Sequence, residues 1–267
     1  MLYDKISLDD SASLELYIAD RTEKYSRKAI LIMPGGGYRC ICADREGEPI
    51  ALAFLKYGFN AFVLSYSVCG KKTFPAQLLE VSKAMKYIRD NADKFGIDVE
   101  NVFTVGFSAG GHLAASLATM WNIEEIYKEI DMPYGYNKPK GVILVYPVIT
   151  GIGKFSRTVC FQNLFGTKDL SDAQCKESSI QLNVTKDSSP AYIIHAANDS
   201  CVPVENSLLL AFAYSKNKVP YELHIYPRGE HGFALANEIT WAGNEEFIQK
   251  ENEMWVQNVV RWTDTFE

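Results

Sequence analysis

The sequence contains no apolar run approaching the roughly 20 residues that a membrane-spanning helix needs. Its first segment, MLYDKISLDDSASLELYIAD, carries acidic side chains early and no apolar stretch of signal-peptide length. Positive charge is also scarce, because 27 Lys and Arg against 33 Asp and Glu give a net charge of −6. Such a balance gives no electrostatic reason to expect nucleic acid or an anionic membrane as a partner. These absences predict a cytoplasmic protein with no nucleic-acid partner and no membrane partner.

Paired cysteines are missing as well. The six cysteines are scattered, none belongs to a C-x-x-C motif, and Cys40 and Cys42 have neither a second pair nor a histidine nearby. A zinc site is therefore disfavoured. In a chain of 267 residues this distribution is typical of free thiols in a reducing compartment. We expect no metal and no cofactor.

The composition itself is that of an ordinary folded protein. Hydrophobic residues make up 47% of the chain and charged residues 22%, which excludes a disordered protein. A chain of 267 residues is long enough to bury a large core. The sequence shows no internal repeat, no low-complexity segment and no linker. We therefore predict one domain over residues 1–267.

Short apolar runs alternate with helical patterns along the chain. Residues 28–33, KAILIM, are continuously apolar, and residues 76–95 repeat apolar side chains at three- and four-residue steps. Strands that are apolar throughout indicate a mainly parallel central sheet with helices on both faces, the α/β class. The periodicity fades over residues 149–189, which we interpret as a small insertion beside a site. The other predicted strands span 13–19 (an edge strand), 60–68, 102–105, 141–148, 191–196 and 221–226, and the other helices 48–57, 111–120, 204–216 and 245–266.

The motif Gly-Phe-Ser-Ala-Gly at residues 106–110 lies between an apolar strand and a helix rich in Ala and Leu. It matches G-x-S-x-G, in which a serine occupies a strained strand-to-helix turn. Side chains at Gly106 or Gly110 would collide with their neighbours because the chain doubles back tightly. The hydroxyl of Ser108 then stands at a helix N-terminus, where negative charge is stabilised. This context favours Ser108 as a nucleophile over a plain glycine-rich turn.

A serine nucleophile needs a base, and the chain has four histidines. His195 and His224 lie inside predicted strands, and His112 lies on the packed side of the helix that follows the serine. His231 follows the last predicted strand in a glycine-flanked loop, from which an imidazole can reach the carboxyl ends of the strands. We therefore predict His231 as the general base.

The base in turn needs a carboxylate that fixes its tautomer. Asp199 comes directly after the 191–196 strand and precedes the histidine loop, so the chain order is Ser, Asp, His, as in α/β-hydrolase triads. The alternative is a turn aspartate that caps the helix beginning near Val204. The triad role is the favoured interpretation. Weaker candidates in the irregular region are Asp169, Asp172 and Asp187.

Acyl transfer also requires hydrogen-bond donors for the developing oxyanion. The N–H of Ala109, directly after the serine, can supply one. The loop Gly35-Gly36-Gly37-Tyr38 follows the first buried strand, and we favour the N–H groups of Gly36 and Gly37 as the others, with that of Tyr38 as the alternative. A tight turn is the simpler interpretation of this loop. Consecutive glycines, however, also let a backbone approach a ligand closely.

Six segments together resemble the bacterial acetylesterase or xylanase-like (sugar) esterase branch of the α/β hydrolases, which is related to the hormone-sensitive-lipase-like esterases. The resemblance begins near Ala29 and covers nearly all of the chain from there. It implies an α/β-hydrolase fold with Ser108, Asp199 and His231 as the triad and the glycine loop with Ala109 as the oxyanion hole. Pro34 departs from the lipase-like relatives, which have a histidine before the glycines. The segments are PGGGY (34–38), REGEPIALAF (45–54), LSYSV (64–68), GFSAGGHLAAS (106–116), HAANDSCVP (195–203) and YELHIYPRGEHGF (221–233).

The resemblance implies a serine carboxylic ester hydrolase that removes short acyl groups, acetyl above all, from sugars or oligosaccharides through an acyl-serine intermediate. A glycosidase is disfavoured, since no pair of carboxylates has a comparable placement. Two alternatives are a peptidase or amidase with the same triad, and a catalytically silent fold that binds a small ligand. The expected partner is a small ester substrate. A homodimer through Trp241, Trp255 and Trp262 is the alternative to packing of these side chains in the core.

Overall fold

A computed structural model of the chain describes residues 1–21 and 25–266. Within these residues the strands are β1 (Leu2–Ser7), β2 (Ser13–Ile18), β3 (Arg27–Met33), β4 (Asn60–Ser65), β5 (Ile97–Phe107), β6 (Val142–Val145), β7 (Ala191–Ala196) and β8 (Tyr221–Tyr226). They form one eight-stranded sheet in the order β1-β2-β4-β3-β5-β6-β7-β8. The pairs β1–β2 and β2–β4 are antiparallel, and all other neighbours are parallel. The long strand β5 lies near the middle, which places the turn after it at the carboxyl edge of the parallel strands.

Helices connect the strands and cover both faces of the sheet. Their bounds are α1 (Ala43–Glu46), α2 (Glu48–Lys56), α3 (Ala76–Asp90), α4 (Ala92–Phe95), α5 (Ser108–Met120), α6 (Glu124–Glu129), α7 (Thr158–Phe165), α8 (Asp172–Glu177), α9 (Glu205–Lys216) and α10 (Trp255–Asp264), with short 3₁₀ turns at Ile180–Leu182 and Glu245–Phe247. None of these helices, in the part of the chain that the structure describes, is long and apolar enough to cross a bilayer.

The core forms two layers, one on each face of the sheet, because successive side chains of a strand point to opposite sides. Leu31 and Met33 of β3 belong to the cluster that contains the buried side chains of α3, α5 and α9. Ile30 and Ile32 of the same strand belong to the other cluster, under α2 and α10. A strand that is apolar at every position is therefore explained by burial on both faces. The prediction of a mainly parallel sheet with helices on both sides is confirmed.

Four predicted elements differ from the structure in more than their end residues. The segment 13–19 is not an edge strand, since β1 pairs outside β2; β1 was missed because most of its side chains are exposed and give no apolar signal. The predicted helix 76–95 is divided at Asn91, whose backbone N–H and side-chain amide both donate to the Tyr87 carbonyl. The insertion 149–189 is not irregular throughout, because it contains α7 and α8.

The predicted closing helix 245–266 is wrong in its first half, since α10 begins only at Trp255. Asn252 is buried, and its side-chain amide donates to the Arg228 carbonyl at 3.0 Å. A polar side chain that is buried and hydrogen-bonded to another segment competes with the hydrogen bonds of a helix, so the chain forms a turn here. Trp255 and Trp262 are buried in the core and Trp241 is half-buried. The core interpretation of the first two therefore holds, and they offer no dimer surface.

Candidate active site

The turn after β5 has the strained geometry that its sequence predicts. Ser108 has φ +51, a left-handed conformation that costs a non-glycine residue energy. A Cβ at Gly106 would lie 2.2 Å from the Gly110 carbonyl oxygen, and one at Gly110 would lie 2.0 Å from the Met33 carbonyl oxygen. Both positions therefore require glycine, because the helix α5 packs directly on the backbone of β3 and β5. The turn holds the serine hydroxyl at the edge of the sheet.

The structure brings Ser108, His231 and Asp199 into one line of hydrogen bonds. The Ser108 Oγ lies 2.9 Å from Nε2 of His231, and Nδ1 of the same ring lies 2.7 Å from Oδ2 of Asp199. An ionised carboxylate only accepts, so Nδ1–H donates to Asp199 and Nε2 is left to accept the serine proton. This is the tautomer that a general base for Ser108 needs.

Asp199 has more partners than the sequence suggests. Its Oδ1 accepts the backbone N–H groups of Cys201 and Val202, each at 2.8 Å, so Asp199 also stabilises the turn. It does not cap α9, as the alternative interpretation expected, because the N-cap residue of that helix is Val204 and has no side-chain cap. Its Oδ2 also lies 3.2 Å from Nε2 of the buried His195. Burial opposes ionisation of this carboxyl, but hydrogen bonds from His195 and His231 and from the Val202 N–H outweigh it and hold the pKa of Asp199 well below its ordinary value.

The glycine loop after β3 turns its backbone towards the serine. Gly36, Gly37 and Tyr38 all have positive φ, at +126, +65 and +54. A Cβ at Gly36 would lie 2.1 Å from the Cys40 carbonyl oxygen, so only glycine fits there. Among the described residues, the N–H groups of Gly36 and Gly37 donate to no protein acceptor. Both glycines line the cavity that contains Ser108, and the N–H of Ala109 belongs to the first turn of α5.

Sequence reasoning missed Glu46, a buried carboxylate beside this loop. Its Oε2 accepts the Gly35 N–H at 2.7 Å and its Oε1 accepts the Tyr146 hydroxyl at 2.8 Å. Burial raises the pKa of Glu46 against these two hydrogen bonds. The ring of Tyr146 lies 4.9 Å from the ring of His231. The available signal was the acidic residue in the REGEPIALAF segment (45–54), which begins a few residues after the loop.

The other histidines stand apart from the serine. Nε2–H of His112 donates to the Ser178 carbonyl at 2.8 Å, and Nδ1 accepts the Tyr38 hydroxyl at 2.8 Å, which is a fully used neutral ring. Burial lowers the pKa of His112 to about 4, against the Ser178 hydrogen bond. His224 is half-buried and stacks on Tyr192 with ring centroids 4.6 Å apart. Both have structural roles, as their positions in the sequence predicted.

The serine opens into a cavity of about 360 Å³. One wall comes from the insertion, whose α7 contributes Val159, Cys160 and Asn163 to the lining. The Asn163 side chain also donates to the Gly37 carbonyl at 2.8 Å and so braces the glycine loop. Within the described residues, no group of three or more His, Cys, Asp and Glu side chains has the arrangement to hold a metal ion. The weaker candidates, Asp169, Asp172 and Asp187, are exposed, and none of the contacts described for them involves Ser108, His231 or Asp199.

The fold and the serine turn after its central strand are those of the α/β hydrolases, and solved structures of such enzymes superpose on nearly the whole chain. The family described as BD-FAE matches residues 14–214. The chain therefore belongs to the BD-FAE family. The resemblance to the xylanase-like esterase branch is confirmed.

Three relatives illustrate the match. An endo-1,4-beta-xylanase B of Butyrivibrio fibrisolvens is 37% identical over 84% of this chain and 36% of the relative. An acetylxylan esterase of Xylanibacter ruminicola is 28% identical over 95% of this chain and 50% of the relative. The crystal structure of an acetyl ester-xyloside bifunctional hydrolase from Caldicellulosiruptor lactoaceticus is 32% identical, with a TM-score of 0.81, and covers 95% of this chain and 88% of that chain. The chain thus spans about a third of the length of the xylanase and about half of the length of the acetylxylan esterase.

Proposed function

We propose that the protein is a serine carboxylic ester hydrolase that removes short acyl groups, acetyl above all, from sugars or oligosaccharides. The observation that carries the proposal is the unbroken line from the Ser108 hydroxyl through the His231 ring to the Asp199 carboxylate, at 2.9 and 2.7 Å. Distances of this kind let the ring take the serine proton during attack. The N–H groups of Gly36 and Gly37 support an oxyanion hole, since both glycines line the cavity of Ser108 and their N–H groups donate to no acceptor among the described residues.

The proposed reaction has two halves. The Ser108 Oγ attacks the ester carbonyl carbon while Nε2 of His231 takes the hydroxyl proton. The oxyanion that forms accepts hydrogen bonds from the N–H groups of Gly36, Gly37 and Ala109. Collapse of the tetrahedral intermediate breaks the bond to the alcohol oxygen, which leaves with the proton from His231. Water then attacks the acyl-serine and gives up a proton to the same ring. The second collapse releases the acid and restores the serine hydroxyl.

The size of the cavity and the names of the relatives support the substrate class. A volume of about 360 Å³ lies at the small end of ligand cavities, which suits a short acyl group on a sugar-sized alcohol. An acetylxylan esterase and an acetyl ester-xyloside hydrolase are among the relatives. All six cysteines of the described chain are free thiols, which supports the cytoplasm as the proposed compartment.

A panel of substrates tests the proposal. We expect acetate release from acetylated xylo-oligosaccharides, and a kcat/KM for 4-nitrophenyl acetate that exceeds the value for the octanoate ester by about tenfold or more. Enzyme treated beforehand with a fluorophosphonate, which esterifies an activated serine, is the matched blank. Faster cleavage of 4-nitroacetanilide than of the acetate ester would instead identify an amidase. Release of 4-nitrophenol from the β-xyloside, but not from any ester, would identify a glycosidase.

A further inference from the structure

The cavity beside Ser108 is positively charged although the protein is acidic. Three arginines line it, Arg39, Arg45 and Arg157, whereas the whole chain has a net charge of −6. The carboxylate among the lining side chains is Glu46, which is buried and uses both oxygens on protein donors. The cavity therefore presents guanidinium groups and no accessible carboxylate to a substrate.

The three arginines differ in how far the protein uses them. Arg45 is half-buried, donates to the Gly232 carbonyl at 3.4 Å and lies 5.1 Å from the centre of the Phe247 ring. Arg39 and Arg157 are exposed, and within the described residues neither forms an ion pair with a carboxylate. Arg39 directly follows the glycine loop, and Arg157 directly precedes α7. Two guanidinium groups thus flank the cavity from opposite segments.

We propose that this site prefers esters that carry a second, anionic group, a carboxylate placed within reach of Arg39 and Arg157. The inference deepens the proposed esterase function and rests on it. A guanidinium pairs with a carboxylate through two parallel hydrogen bonds, which gives orientation as well as attraction. The carboxylate comes either from the sugar, as in a uronic acid, or from a dicarboxylic acyl group. Both sources present the same chemistry to the arginines.

Matched substrates distinguish the two sources. For the sugar, monoacetylated methyl β-xyloside is compared with monoacetylated methyl β-glucuronide, which adds only the carboxylate. For the acyl group, the mono-4-nitrophenyl ester of succinic acid, whose second carboxyl group is free, is compared with the same ester in which that carboxyl group is methylated. We expect kcat/KM to favour the anionic member of at least one pair by about fivefold, mainly through KM, since an exposed ion pair contributes a factor of this size. Raising the salt from 20 to 300 mM is expected to reduce this ratio, because salt screens exposed charges over about 10 Å.

Variants assign the effect to the arginines. Arg39→Gln and Arg157→Gln are each expected to lower the anionic-to-neutral ratio by about twofold to threefold, and the double variant to bring it near one. Arg261→Gln, an exposed arginine on α10 outside this cavity, is the control and is expected to leave the ratio unchanged. Equal kcat/KM within both pairs would overturn the preference for anionic esters. Hydrolysis of the neutral esters would, in that case, still support the esterase function. Failure of every ester would overturn both.

A second inference comes from Glu46 and is independent of the substrate. Gly35, Ser108 and Glu46 converge at one point, since a Cβ at Gly35 would lie 2.9 Å from Oε2 of Glu46 and 3.0 Å from the Ser108 Cβ. The hydroxyl of Tyr146, which donates to Glu46, also accepts the backbone N–H of Ala234 at 3.1 Å. One buried carboxylate therefore connects the glycine loop to the segment after His231.

We infer that Glu46 is a positioning residue for the triad histidine and the glycine loop. Its hydrogen bond to the Gly35 N–H fixes the start of the loop, so that the next two N–H groups point into the cavity. Its bond to Tyr146 holds the ring against which His231 packs. Its negative charge also stabilises the imidazolium that forms when His231 takes the serine proton. The other charged and titratable groups beside that ring or its chain neighbours are Asp199, Tyr146 and Arg45, while the adjacent Glu230 accepts the Ser200 hydroxyl.

The variant Glu46→Gln keeps the shape and removes the charge. We expect kcat for a neutral acetyl ester to fall by about tenfold to a hundredfold with little change in KM, since small displacements at a reacting centre cost this much. The acid limb of the kcat/KM profile is expected to move to lower pH, because the variant loses the electrostatic attraction between the Glu46 carboxylate and the His231 imidazolium. Asp44→Asn, an exposed carboxylate on the same short helix, is the control for net charge.

Tyr146→Phe separates position from charge. It removes the hydroxyl bonded to Oε1 and keeps both the ring and the carboxylate, so kcat is expected to fall while the acid limb stays in place. An acid limb unmoved in Glu46→Gln, together with a kcat equal to that of Asp44→Asn, would overturn the inference. If Glu46→Gln does not fold, a kcat of Tyr146→Phe equal to that of the wild type would overturn the inference.

Discussion

Ser108→Ala is expected to lower kcat for 4-nitrophenyl acetate by a factor of about 10⁴ to 10⁶, the largest effect of any single change in the chain. The Oγ that would form the bond to the acyl carbon is missing in this variant, and no other hydroxyl stands 2.9 Å from Nε2 of His231 in the described chain. The residual rate should equal that of hydrolysis aided only by binding and by the glycine loop. Initial rates at saturating substrate give the comparison.

Ser116→Ala is the matched control for this change. Ser116 lies on the same helix, α5, is buried, and donates its hydroxyl to the His112 carbonyl at 2.8 Å. The same atoms are removed, but away from the cavity, so kcat is expected to stay within about twofold of wild type. Mass spectrometry after fluorophosphonate treatment should find the label on Ser108. Unchanged ester turnover in folded Ser108→Ala would end the serine-hydrolase proposal.

Asp199→Asn is expected to lower kcat by about 10⁴, the second largest effect. An amide in place of the carboxylate can donate to Nδ1 of His231, which would then leave the proton on Nε2, where Ser108 needs an acceptor. The imidazolium also loses its anionic partner. Asp199 also accepts hydrogen bonds from two backbone N–H groups and from His195, so thermal unfolding of the variant is measured to separate a changed turn from the loss of the carboxylate.

Asp187→Asn is the control for this substitution. Asp187 is exposed, lies in the insertion and forms an ion pair with Lys186 at 4.0 Å. Its replacement is expected to change neither kcat nor the melting temperature. A kcat for Asp199→Asn within tenfold of wild type, in a protein that melts normally, would assign Asp199 to the turn alone and contradict the triad.

The sequence was most informative where a residue type has one physical reason to be present. Gly106 and Gly110 could be placed in a tight turn because any Cβ there meets backbone. Apolar strands predicted the parallel sheet because both faces are covered. His231 was distinguished from His195 by lying in a loop rather than inside a strand. These inferences need only local patterns and the general rule that sites form at the carboxyl ends of parallel strands.

Residues whose role depends on distant partners could not be found in this way. Glu46 lies 100 positions before Tyr146, its hydrogen-bond partner, and an acidic residue in a short helix is ordinarily a solvent-exposed one. His195 was placed inside a strand correctly, but its contact with Asp199 depends on how the following turn folds back. The strand β1 was missed because most of its side chains are exposed, so that its pairing with β2 defines it.

The close approach of Gly110 to the Met33 carbonyl makes the backbone geometry at Ser108 depend on how α5 packs on the sheet. We expect Ser108 to adopt its left-handed backbone only once α5 packs on β3, two segments separated by more than 70 positions in the chain. A chain that has formed its helices and strands but has not packed α5 on β3 is expected to have a serine of ordinary reactivity. The time at which fluorophosphonate labelling recovers during refolding should therefore report when α5 and the sheet become closely packed. This recovery should come later than the return of secondary structure.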